Sequence, residues 1–262
     1  MEFKNRTLGR TGLNVSPFGI GGGYGIRGNV LERAFDSGIN TFFYAPIFPT
    51  YTPMMLWLRS KFPANREKIN LFTATYFWRF PFSIERTIKR HLSWLRTDYL
   101  DAFFLGMTGS LSQDSAFESL LKLKDNKIIR FIGVSIHKRK LVPELIKKYP
   151  VDIIMVRYNI AHRGAEKEVF PFVKDQGVIA FNSLKHGKIL KKNNDWDEKN
   201  GKFPTAEEAY RFVLSNEHVD MCLAGPRNIF NIETIKNAIQ AGPLEQRRIA
   251  ELCAYGDFLH KT

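Results

Sequence analysis

Three histidines, His137, His162 and His186, each follow a short apolar run, and Arg157, Tyr158, Asn159, Asn182 and Lys185 stand close to them in the chain. If the apolar runs are parallel strands, all of these side chains fall just beyond the strands' C-terminal ends, where barrel active sites are assembled. Imidazoles beside a guanidinium can bind an anion or move a proton near neutral pH. Solvated loop histidines are the plainer alternative and stay open at this point. No acidic residue lies close in sequence to complete a ligand set, so no metal is expected. A second group is aromatic: Gly38 to Phe48, GINTFFYAPIF, carries no charge, and Tyr44, Tyr51 and Tyr76 supply the nearby hydroxyls. A tyrosine with a reference pKa of about 10 needs a cation beside it to act as an acid at pH 7.

Gly23, Gly25 and Gly28 formally spell GxGxxG after an apolar strand, but a dinucleotide fold also needs an acidic residue about twenty positions further on to hold the ribose. None occurs between Asp36 and Glu67, so the glycines read as loop chemistry at a strand end. No Walker lysine, HExxH, CxxC or GxSxG is present, which removes P-loop, zincin, zinc-ribbon and α/β-hydrolase chemistry.

The elements that must position these residues alternate along the chain. Strands are expected near Phe18–Ile20, Asn40–Tyr44, Ile69–Thr75, Tyr99–Leu105, Ile128–Ser135, Asp152–Tyr158, Val178–Asn182 and Val219–Leu223. Helical patterns separate them, clearest in Ser83–Arg96, where Ile84, Ile88, Leu92 and Leu95 share a face behind a serine N-cap. The strands read as continuous apolar runs, as expected when barrel interior covers one face and helices the other. The expected fold is therefore a single (β/α)8 TIM barrel over residues 1–262, with a doubly wound sheet as the alternative. An N-terminal β-hairpin (Asn5 to Leu8 and Leu13 to Ser16) precedes the barrel, and an extra helix follows from Pro243. The one long break, Lys185 to Pro204, is of the length that is usually functional or mobile.

The blocks RTLGRTGLNVSPFGIGGG, REKINLFTAT, WLRTDYLDAFFL, KIIRFIGVS, VRYNIAHRG, GVIAFNSL and LAGPRN, in this order and spacing, resemble the aldo-keto reductases over nearly the whole chain. The resemblance implies the same barrel and NADPH-dependent carbonyl reduction by a tetrad: a tyrosine acid, a lysine and aspartate that lower its pKa, and a histidine that orients the substrate. Matched position by position, the aspartate falls on Phe43, the tyrosine on Phe48, the lysine on Tyr76 and the histidine on Gly106. Ordinary carbonyl reduction is therefore expected to be lost, with Tyr44, Tyr76, His137, His162 and His186 as conceivable substitutes. Of the cofactor-binding residues that the resemblance implies, Ser135 is retained, and Ile136 replaces an asparagine. Arg157 replaces a glutamine, Phe181 replaces the tyrosine that stacks on the nicotinamide, and Asn182 follows it. Gly225, Arg227 and Asn228 match the adenosine-phosphate site, whereas Thr234 and Ile235 replace its Glu-Asn pair. NADP(H) is the expected cofactor, and the protein reads as a divergent oxidoreductase or a noncatalytic nucleotide- or metabolite-binding relative.

Composition bounds the remaining classes. With 44% hydrophobic residues, a large core can form, and no apolar run approaches the length of a bilayer span. The start MEFKNRTLGR has no apolar signal core, and the two cysteines, Cys222 and Cys253, have no metal or redox spacing, so a cytoplasmic location is expected. A net charge of +13 favours anionic partners. The basic clusters are dispersed between apolar segments instead of forming one face with aromatics, which argues against nucleic acid.

Overall fold

In the computed structural model, which describes residues 2–21, 26–48, 51–76, 81–107, 114–197, 199 and 201–261, two short strands pair before the barrel begins. These are β1 (Arg6–Thr7) and β2 (Asn14–Val15), with Arg6 opposite Val15. The barrel strands are β3 (Phe18–Gly21), β4 (Thr41–Tyr44), β5 (Asn70–Thr75), β6 (Leu100–Met107), β7 (Ile129–Ile136), β8 (Ile153–Arg157), β9 (Gly177–Phe181) and β10 (Met221–Ala224). Each pairs in parallel with the next and β10 closes on β3, so the sheet has no free edge. Between and after them run α1 (Gly28–Asp36), α2 (Tyr51–Asn65), α3 (Pro81–Leu95), α4 (Asp114–Asp125), α5 (Val142–Lys148), α6 (Ala165–Glu168), α7 (Ala206–Leu214), α8 (Ile229–Ala241) and α9 (Gln246–Lys261). This is the (β/α)8 barrel, with the hairpin and the extra helix where the sequence places them.

One boundary differs. Helix α3 begins at Pro81, so Ser83 lies inside it and is not its N-cap. Proline needs no intrahelical acceptor for an N–H and has a helix-like φ, so it opens the helix two residues earlier. Of the glycine motif, Gly23 and Gly25 lie outside the described residues, and Gly28 opens α1.

Because successive strand residues face opposite sides, two cores form. Phe43, Phe72, Phe104, Ile153, Met155, Ile179, Met221 and Leu223 point inward and fill the barrel, together with Leu8, Leu13 and Val15 from the hairpin region. Phe42, Tyr44, Leu71, Phe103, Leu105, Val134, Ile136 and Val156 point outward and pack under the helices. Buried acids sit at the end opposite the mouth. Asp101 pairs with Arg66 at 2.9 Å and Arg130 at 3.0 Å and accepts the Leu71 N–H, while Asp152 pairs with Arg10 at 3.2 Å and Lys124 at 2.6 Å and accepts the Ile132 N–H. Each carboxylate ties a strand's N-terminal region to its neighbours, which is structural work.

The described part of the segment after β9 is anchored at particular residues. It turns through left-handed backbone at Lys185, His186 and Gly187 (φ 48°, 55° and 82°) inside a short 3-10 stretch, Lys185–Leu190. Trp196 then meets Tyr255 edge-on at 5.1 Å, and the Tyr255 hydroxyl donates to the Lys191 carbonyl at 3.2 Å. Helix α9 thus fastens this loop to the barrel's side. At Gly256 a β-carbon would overlap the Ile160 carbonyl, so only glycine allows α9 to lie this close.

Candidate functional site at the barrel mouth

A cleft of about 640 Å³ opens at the C-terminal ends of the strands. This is the size and place expected of a barrel's ligand site. Strand parity decides which residues reach it. Ser135 of β7, Met155 and Arg157 of β8 and Phe181 of β9 lie on inward positions and line it, followed by Asn182, held at φ 59°. Arg157 pairs in register with Phe181, and Ser135 with Met155.

The β4–β6 end of the cleft is aromatic. Phe43 is fully buried and meets Phe104 edge-on at 5.8 Å and Phe48 at 6.1 Å, and Phe48 meets Tyr76 at 5.9 Å. A β-carbon at Gly106 would overlap the Tyr76 ring, so the tyrosine occupies the space that a side chain at 106 would need. The four positions matched to the tetrad therefore come together in space. Burial raises the Tyr76 pKa, opposed by a hydrogen bond with Ser135, so its phenol is protonated at neutral pH.

Tyr44 does not belong to this end. It is the even-numbered neighbour of Phe43, fully buried on the outer face, where its hydroxyl stands 3.4 Å from His91 Nδ1. Burial pushes its pKa far above the ordinary tyrosine value. It is core, and the expectation that it substitutes for the missing acid fails on parity alone. Tyr158 and Asn159 are structural as well. The Tyr158 hydroxyl donates to Glu166 at 2.7 Å, and the Asn159 side-chain Oδ1 accepts the backbone N–H groups of Ala161 and His162 at 3.0 and 2.9 Å.

His137 and His186 line the cleft. His137 meets Phe181 edge-on at 5.5 Å, and burial, then Arg157, lowers its pKa. His162 does not line the cleft and stacks edge-on against His260 at 5.6 Å. Its pKa is pushed down to about 4 by burial and by Arg157, Lys185, His260 and Arg139. The three histidines thus do not form one site. The lining contains Arg157, Arg227, His137 and His186 and, among the described residues, no aspartate or glutamate. Arg157 is the most under-served of these groups: its Nε is buried with no hydrogen-bond partner among the described residues, and burial and Arg139 both weaken its hold on its proton.

At the far end, Gly225, Pro226, Arg227, Asn231 and Thr234 line the cleft beside the start of α8. Asn228 is that helix's N-cap, its side chain accepting the Asn231 N–H at 2.9 Å, and it does not line the cleft. Its cap role also sets the helix start that Arg227 precedes. Ile136 and Ile235, at positions where the resemblance implies asparagine, are fully buried in the outer core and cannot reach a ligand. Sequence reasoning missed Tyr210 of α7 and Leu190 of the fastened loop, which also line the cleft. The alternating pattern could not have found them, because they arrive from helix and loop. Cys222 is also closed off: its thiol lies 2.9 Å from the Ser183 hydroxyl, and burial pushes its pKa up to about 12.

Fold and site together define a (β/α)8 barrel with one large ligand cleft, cationic along β7–β10 and aromatic along β4–β6. The family model for the aldo/keto reductase family matches residues 27–256, and the chain belongs to that family. It is 25% identical over 211 residues to a Bacillus subtilis protein named as the uncharacterized oxidoreductase YqkF, a match covering 73% of this chain and 68% of that one. The holo form of aldo-keto reductase AKR11C1 from Bacillus halodurans superposes with a TM-score of 0.82 at 22% identity, covering 97% of this chain and 96% of that one. An aldo/keto reductase from Klebsiella pneumoniae in complex with NADP and acetate gives 0.80 at 19% identity, with the same coverage of each chain. Among the described residues, no helix is long and apolar enough to cross a membrane.

Proposed function

We propose that the chain binds NADP(H) in this cleft and that it has left the ordinary carbonyl reduction of its family, acting as a divergent oxidoreductase. The observation that carries the reading is the division of the cleft. Its β7–β10 side keeps polar and basic groups, while the positions matched to the tetrad hold Phe43, Phe48, Tyr76 and Gly106. Phe181 offers a ring face for the nicotinamide, Ser135 and Arg157 stand beside it, and Arg227 lies where a phosphate would meet the start of α8. The bound nucleotide would supply hydride. This chain's own residues orient the ring and keep water from the aromatic end. Among the described residues of the aromatic end, the Tyr76 hydroxyl is acted on by burial and Ser135 and by no cation, and loss of general acid catalysis costs about a factor of 10² to 10⁴.

Slow transfer to acceptors that need no proton donor in the rate-limiting step, such as quinones, remains within the chemistry of the site. The filled aromatic end favours a second reading, a noncatalytic relative that uses the same cleft to sense a nucleotide or phosphorylated metabolite. Calorimetric titration with NADPH tests the shared core: saturable binding is expected, and its absence at millimolar NADPH with the chain folded would sink both nucleotide versions. A single-turnover assay on the NADPH complex then separates them, because oxidation with quinones but not with aromatic aldehydes is expected of the divergent oxidoreductase. No oxidation with any acceptor would leave the sensing version.

A further inference from the structure

We infer that Arg157 is the receptor for the carboxylate of an aromatic or conjugated acid whose ring lies on Met155 and the aromatic end of the cleft. The inference rests on the reading of this cleft as the ligand site, but not on the nucleotide.

The arginine's isolation comes first. Arg163, six positions on, donates to the Cys253 carbonyl at 2.8 Å and to Asp257 at 2.7 Å, and Arg139 donates to Glu168 at 2.7 Å. Among the described residues, Arg157 has a dry Nε with no acceptor, and it shares the cleft with His137, His186 and Arg227 but with no carboxylate. An unmade hydrogen bond on a buried N–H of a charged group is expensive, so the free state leaves this Nε in search of an acceptor that the described residues do not provide. A ligand anion that draws the guanidinium toward the cleft supplies one.

The second step concerns shape. A guanidinium edge matches a planar carboxylate with two parallel hydrogen bonds. Below Arg157 on the same face of β8 stands Met155, about 6.6 Å down the strand at two residues' rise. That drop is about one ring's length. Ser135 flanks Met155 on β7, Phe181 flanks Arg157 on β9, and Tyr76 lies against Ser135. A polar head at the rim over a thioether and aromatic floor suits a flat acid, whereas a polyhydroxylated or strongly charged body would lose hydration there without recovering it.

The test uses trans-cinnamate and its neutral amide, titrated by calorimetry into the intact chain, with NADPH titrated separately. Cinnamate is expected to bind at least about tenfold tighter than the amide, the usual worth of one charge-assisted pair. Arg157→Gln is expected to abolish that preference while leaving the melting temperature within error. Equal binding of acid and amide by the parent chain overturns the inference, and so does no cinnamate binding at millimolar concentration or a preference that survives in R157Q. The acid–amide comparison needs no variant, so misfolding of R157Q would not shield the inference. NADPH binding without cinnamate binding refutes the carboxylate site and spares the nucleotide reading; the converse result refutes the nucleotide reading alone.

Discussion

Phe43 and Tyr44 are neighbours on β4, yet they open onto two different aromatic clusters. On the inner side Phe43, Phe48, Tyr76 and Phe104 meet at ring distances of 5.8 to 6.1 Å, and a single polar atom, the Tyr76 hydroxyl, stands among them. On the outer side Tyr44, Tyr51 and His91 meet at 5.6 to 5.8 Å, with a polar atom on every ring. The Tyr51 hydroxyl lies 3.0 Å from His91 Nε2 and the Tyr44 hydroxyl 3.4 Å from Nδ1, so the imidazole has a partner at each nitrogen. Apart from Tyr76, the titratable groups of these two clusters are thus in the layer that faces the helices. The layer that faces the ligand is nearly all hydrocarbon. Proton-handling groups near a barrel mouth carry no chemistry when strand parity turns them outward, and the position one residue away decides what the cleft can do.

The largest effect should come from charging the inner cluster. Phe43→Asp deletes a buried ring and places a carboxylate among the rings of Phe48 and Phe104, and either change alone is costly. A loss of about 4 kcal/mol in urea denaturation is expected. Adding Phe48→Tyr should not restore carbonyl reduction, because Tyr76 and Gly106 still provide neither a cation nor an imidazole. A loss below about 1 kcal/mol would mean that water reaches Phe43, and that the contrast between the two clusters is weaker than their packing implies.

The outer cluster predicts a pH effect. Burial, then the nearby Arg90, lowers the His91 pKa from 6.5 to about 4. The unfolded chain therefore binds the proton that the folded one refuses, and stability falls as pH drops through that window, levelling off below about 4. The shift corresponds to about 3 kcal/mol. His91→Gln, which can still both donate to and accept from the two tyrosines, should remove that part of the pH dependence between 6.5 and 4. If denaturation curves of parent and variant fall in parallel across the window, His91 is protonated in the folded chain and its closure against solvent is wrong.

How much of this was legible in the sequence follows from what each signal measures. Strand–helix alternation reports local periodicity, and it gave the barrel, the hairpin and the terminal helix. The match of Phe43, Phe48, Tyr76 and Gly106 to the tetrad rests on collinear blocks, and the four positions do meet in space. Tyr44 was misplaced because nearness in sequence ignores parity, and His162 because a position after a strand does not fix which way the loop turns it. Asn228 illustrates a third limit: a cap and a phosphate contact draw on the same residue types at a helix start, so composition alone does not separate them. The coupling of Tyr76 to Gly106 crosses between two strands and left no pattern along the chain.

That coupling gives the smallest predicted effect and the most specific one. Gly106→Ala adds one β-carbon, and the ring of Tyr76 already occupies its place. The half-buried tyrosine must tilt toward the cleft, giving up part of its contact with Phe48 and its hydrogen bond with Ser135. Overpacking of this kind costs about 2 kcal/mol. Tyr76→Ala empties the space, so in the Y76A background G106A should be nearly neutral, leaving a coupling energy of about 2 kcal/mol in the double-mutant cycle. Such a value would mean that the residues at the lysine and histidine positions cannot be restored one at a time, since a side chain at 106 needs the tyrosine gone. A coupling near zero would mean that the ring swings out freely, in which case the aromatic end opens to ligands and the inner cluster is a moving part of the cleft instead of its floor.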